Sequence, residues 1–128
     1  MIHPLLDAVY TRAFFRDRLF FIVFFLGCLL HAVLWTLLFL GFDTLATSDT
    51  QYITLHYKIL FGTDFVAQWF SLFLVPLCGF LILGINYFLG RTLYHIERRF
   101  SIALAAAALA VQVILVFSLY LLLQVNLY

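Results

Sequence analysis

Polar and apolar positions divide this chain into three long hydrophobic runs separated by polar stretches. Residues 19–42, 69–90 and 100–123 contain no Asp, Glu, Lys or Arg. An α-helix rises about 1.5 Å per residue, so each run reaches roughly 33–36 Å and can cross a hydrocarbon core of about 30 Å. The pattern predicts an all-α integral membrane protein with three transmembrane helices, N-terminus in and C-terminus out.

The polar stretches predict the rest. In residues 1–18, Ile2, Leu5, Leu6, Val9, Ala13 and Phe14 recur at helical spacing, with Asp7, Thr11, Arg12 and Arg18 opposite. This is the layout of an amphipathic segment lying in the cytoplasmic interface, or of a prefix to the first spanning helix. Residues 43–68 form an outer loop that opens with Asp43, Thr44, Thr47 and Ser48. Within it, residues 52–61 alternate roughly and are rich in β-branched and aromatic types, a short strand signal, and Gly62-Thr63-Asp64 suits a turn. An irregular segment tucked against the helix ends is the alternative. Residues 91–99 form a short cytoplasmic loop, so the helices on either side are expected to be antiparallel. Pro76 removes a backbone donor and predicts a kink near 72–76.

Composition agrees with this division. The chain of 128 residues is 66% hydrophobic and 10% charged, against about 45–50% apolar and about 25% charged for soluble domains. Too little sequence lies outside the runs for a second domain. A net charge of +1 gives no reason to expect nucleic acid.

The placement of charge is more informative than its sum. Arg12, Arg16 and Arg18 precede the first run, and Arg91, Arg98 and Arg99 lie between the second and third, whereas the 43–68 connection holds only Lys58. The positive-inside rule then puts the N-terminus and the 91–99 loop in the cytoplasm. A first apolar run of 24 residues, counted from 19 to 42, exceeds the about 7–15 of a signal peptide, and no A-x-A site follows it. The expected location is a plasma membrane.

Candidate chemistry sits in two places. Helices associate in lipid through close packing and a few polar contacts. Ser101, Ala105, Ala108 and Gln112 form one stripe; Pro76, Gly79, Asn86 and Gly90 another; Gly27, Cys28 and His31 a third. Counted from the cytoplasmic ends, His31, Cys78 and Gln112 all lie about 12 residues in, roughly 18 Å deep. His31, Cys78, Asn86 and Gln112 are therefore the expected intramembrane packing set. A buried ionisable residue also raises the alternative of a transport or proton-relay step at His31. A redox-complex subunit is a third possibility, although three scattered ligands, His31, Cys28 and Cys78, make a poor metal site, and no cofactor or metal is expected. Cys28 and Cys78 fall inside apolar runs and offer no disulfide framework.

The second place is the outer loop, where His56, Tyr57, Lys58, Gly62 and Asp64 stand close in sequence. A His–Asp pair can orient a base, but no nucleophile accompanies it, and an enzyme is not expected. Tyr57 and Trp69 suit interfacial anchors.

The segment Thr54-Leu55-His56-Tyr57-Lys58, followed by Gly62-Thr63-Asp64, Trp69 and Pro76, resembles the loop after the first helix in SdpI-like membrane proteins. Those proteins carry a Pro-x-His-aromatic-Asn stretch, a glycine, an acidic residue, an aromatic residue and a proline in the next helix. Small bacterial membrane proteins with a His-Tyr-x-x-x-Phe-Gly-x-Asp stretch are similar again. This chain departs at Thr54, where the larger family has proline, at Lys58, where it often has asparagine, and in lacking the further helices of longer members. The resemblance implies a bacterial inner-membrane protein whose outer loop recognises something, as immunity or sensor modules do. The expected function is that of a small non-enzymatic interaction protein or accessory subunit. Its partners would be the bilayer and either another membrane protein or a second copy of itself.

Overall fold

A computed structural model of the protein describes residues 4–46, 52–58 and 62–127. Four α-helices, a short 3₁₀ segment and a two-stranded hairpin make up the described residues. The helices are α1 (Pro4–Phe15), α2 (Arg18–Ala46), α3 (Leu74–Leu93) and α4 (Arg98–Leu127). Three stretches within them are long and apolar enough to cross a membrane: Arg18–Gly41, Phe70–Leu93 and Arg98–Asn126.

The helix ends differ from the charge-free runs. Hydrophobicity sets where a helix can sit in lipid, whereas the backbone continues for as long as its hydrogen bonds do. Thus α2 extends through Asp43 and Thr44 to Ala46, and α4 begins at Arg98. The expected kink at Pro76 is not a mid-helix feature. Trp69–Phe73 is a 3₁₀ turn and α3 starts only at Leu74. Pro76 therefore falls in the first α-helical turn, where a missing N–H deprives no carbonyl of an intrahelical partner.

At the other end of α3 the chain reverses over residues 94–97 into α4. Two contacts fix this antiparallel pairing. The Ser101 hydroxyl donates to the Gly90 carbonyl at 2.6 Å, and the Gln112 amide donates to the Gly79 carbonyl at 2.9 Å. Three helical turns separate the two contacts on each helix. Both acceptors are glycines for steric reasons: a Cβ on Gly79 would lie 3.0 Å from Leu115 and 3.1 Å from Gln112, and one on Gly90 would lie 2.9 Å from Phe20.

α4 is the central helix. It packs along both α2 and α3, whose backbones approach each other little. Its stripe of Ser101, Ala105, Ala108 and Gln112 is buried, as are Pro76, Gly79, Leu83 and Gly90 on α3. At the hairpin end of the bundle, Leu34, Leu38, Leu72, Leu119 and Leu123 form one apolar cluster. At the arginine-rich end, Phe14, Phe20 and Ala105 form another, into which Phe21, Phe24, Tyr87 and Tyr94 pack.

α1 joins the bundle through its C-terminal end. Phe14 is buried against Phe20, Tyr87 and Tyr94, while Val9 and Ala13, expected on the same apolar face, are exposed. The chain breaks at Arg16–Asp17 and restarts as α2.

The connection from α2 to α3 carries two strands, β1 (Tyr52–Lys58) and β2 (Gly62–Gln68), paired antiparallel. Gly62-Thr63-Asp64, read from the sequence as a turn, opens β2 instead. Residues 59–61 lie outside the described residues.

Candidate functional site

Mid-bundle, one chain of hydrogen bonds joins all three long helices. The Trp35 indole N–H donates to His31 Nε2 at 3.0 Å. That bond makes Nε2 an acceptor, so the neutral imidazole must carry its proton on Nδ1. His31 Nδ1 then donates to Gln112 Oε1 at 3.2 Å, and the amide of Gln112 passes its own hydrogen to the Gly79 carbonyl. Each polar group is used once, in one direction. Trp35 and His31 are four residues apart on α2, hence on one face. The Phe80 ring on α3 lies 6.0 Å from the imidazole.

The sequence placed Cys78 and Asn86 with this group, and the structure does not. Cys78 is exposed. It lies one residue, about 100° of helix, from Gly79, and Gly79 is the residue that turns toward α4. Asn86 satisfies its amide on its own helix, donating to the Ile82 carbonyl at 2.8 Å. Of the expected packing set, the structure brings together only His31 and Gln112. Trp35 and the Gly79 carbonyl complete the network.

Sequence reasoning missed Asp17. It is the N-cap of α2, accepting the Phe20 N–H on Oδ1 at 3.3 Å. The Arg98 guanidinium grips both of its oxygens, Nε on Oδ2 and Nη2 on Oδ1 at 3.1 Å. The Tyr94 hydroxyl donates to Oδ2 at 3.1 Å. One carboxylate thus ties together the start of α2, the end of α3 and the start of α4. The Arg98 hydrogen bond holds the Asp17 carboxyl below its usual range against the opposing effect of burial. Burial, reinforced by the hydrogen bond to Asp17, raises the Tyr94 phenol. The available signal was an aspartate two residues before Leu19, where the first hydrophobic run begins.

The candidates from the 43–68 connection all lie on the hairpin. His56, Tyr57 and Lys58 are on β1, and Gly62 and Asp64 on β2. Lys58 pairs with Gly62, Tyr57 with Thr63, and His56 with Phe65. The register slips on both sides of the His56–Phe65 pair. Leu55 is the extra residue on β1, and Asp64 the extra residue on β2. Two bulges of opposite sense leave the overall register intact while freeing those two residues from direct pairing.

His95 is exposed, with its ring 6.3 Å from that of Tyr10. Among the described residues, no group of three or more His, Cys, Asp or Glu is placed to hold a metal ion. Comparison with protein-family models, with curated proteins and with solved structures finds no match to this chain.

Proposed function

We propose that this is a small, non-enzymatic interaction protein of the bacterial inner membrane. Its N-terminus is cytoplasmic, its hairpin faces outward, and it serves as an accessory subunit or as an immunity or sensor module. The observation that carries the reading is the hairpin itself. Its double bulge sets Leu55 and Asp64 outside the ladder beside His56, on a connection anchored between two spanning helices. β1 also approaches α4, but a two-stranded hairpin gains little stability of its own in water, so a hairpin maintained here suits a surface that another molecule completes. The likeness of this stretch to SdpI-like loops points the same way. The orientation rests on charge: all six arginines lie at the end away from the hairpin.

A proton relay through His31 is the second reading, motivated by a titratable ring among packed helices. The one-way sequence of donors favours a structural role instead. A protonated imidazole has no acceptor for Trp35, so each relay step would first break the Trp35–His31 bond within α2.

Two experiments test the proposal. In a chain lacking Cys28 and Cys78, a cysteine at Ser48 should react with a membrane-impermeant maleimide on intact cells; labelling only after permeabilisation overturns the orientation. Tagged chain purified from native membranes in mild detergent should carry a stoichiometric partner that His56→Ala and Asp64→Ala release. A partner retained by both variants would overturn the role of the hairpin.

A further inference from the structure

The geometry points to a binding seat for one anionic phospholipid between α2 and α3 at the arginine-rich end, with its phosphate on Arg18 and an acyl chain in the groove above. Because α4 holds α2 and α3 apart, an open groove of about 800 Å³ remains between them, walled by Phe21, Phe24, Phe25 and Leu26 of α2 and Tyr87 of α3, with Arg18 at its mouth. That volume falls within the about 300–1,000 Å³ of ligand pockets.

Three observations select a lipid over a partner helix. First, the wall is bulky and aromatic, whereas helices that pack in membranes bring small residues to the interface; Gly79, Gly90, Ala105 and Ala108 are already buried in the bundle. Second, charge is graded along the groove. Arg18 stands at the first residue of α2 and the apolar wall occupies the next two turns, matching a headgroup followed by its chain. Third, Arg18 is exposed and makes no ion pair among the described residues; Arg98 is the one arginine there held by a carboxylate. Basic residues at the mouth of a pocket between helices suit an anionic headgroup.

Phe25, on the groove wall, is itself exposed, so its ring can be removed without disturbing the bundle while taking away part of the seat.

The test uses the full chain reconstituted into mixed phosphatidylcholine–phosphatidylglycerol vesicles and re-extracted in mild detergent, with retained lipid counted by native mass spectrometry. Wild type should hold one phosphatidylglycerol per chain in preference to phosphatidylcholine. Arg18→Gln should lower that retention about fivefold, Phe25→Ala should lower it as well, and Arg99→Gln should leave it unchanged. Trp35 fluorescence verifies that each variant is folded. Equal retention of the two lipids, full retention by folded Arg18→Gln or Phe25→Ala, or an equal loss in Arg99→Gln would overturn the seat. So would a protein partner cross-linking from a cysteine at Ile22 in native membranes.

Discussion

Asp17 and Arg98 pair across 81 positions of chain, the same separation that divides His31 from Gln112. Two polar contacts, one at the helix ends and one mid-bundle, therefore set a single parallel register between α2 and α4. The contacts at Gly79 and Gly90 set the antiparallel register of α3 against the same helix.

His31 and Gln112 are expected to be energetically coupled. His31→Leu and Gln112→Leu should each cost about 0.6–2 kcal/mol, and the double variant less than their sum, because either change alone strands the other partner. Denaturant titration in detergent micelles measures the cycle. Strict additivity would show that the bond contributes nothing.

The glycines should divide into two groups. Gly79→Ala and Gly90→Ala should cost about 1–3 kcal/mol each, because overpacking forces Gln112, Leu115 or Phe20 aside. Gly84→Ala meets open space and should cost nothing. Thermal unfolding of the three variants decides it, and equal losses would refute the packing described.

The Asp17 clasp should have a pH window. The carboxylate is depressed in the folded protein, so its contribution is present above the ordinary value of about 3.9 and is lost as pH falls through the lower folded value. Tyr94 is raised, so its contribution holds below about 10 and fades as pH climbs through the higher folded value. Between these limits Asp17→Ala should cost about 1–3 kcal/mol. Asp17→Asn, which can still cap the helix, should cost less and flatten the acid limb. An unchanged acid limb in Asp17→Asn would count against the clasp.

The hairpin register predicts cross-links. Thr54 and Val66 are directly opposed, so cysteines at both positions in a chain lacking Cys28 and Cys78 should form a disulfide under mild oxidant. Cysteines at Ile53 and Val66 should not, because neighbouring residues on a strand point to opposite faces. The reverse preference, read by gel mobility, would shift the register.

The three spanning segments and the small-residue stripe of α4 were legible because both follow from residue type and spacing alone. Cys78 was misplaced because depth along a helix carries no angle, and one residue turns it about 100° from Gly79; Asn86 shares the Gly79 face, but its amide closes on the Ile82 carbonyl of its own helix. The kink expected at Pro76 depended on where the helix begins, which the preceding 3₁₀ turn decides. Asp17 went unread because its partners Tyr94 and Arg98 lie far along the chain, and only folding brings them to it. The second strand was hidden for a related reason. Gly62-Thr63-Asp64 has the chemistry of a turn, and pairing with β1 overrides it.

The central position of α4 bears on how the protein is made. Emerging from the ribosome in order, α2 and α3 enter the bilayer before the helix they share, with the His31 ring and the Gly79 and Gly90 seats facing lipid. Neither can complete its packing on the other. The bundle closes in one late step, when α4 arrives and Gln112 and Ser101 reach their acceptors. A ribosome stalled before α4 would leave two orphan helices with the His31 Nδ1 proton lacking its Gln112 acceptor, a natural target for membrane quality control.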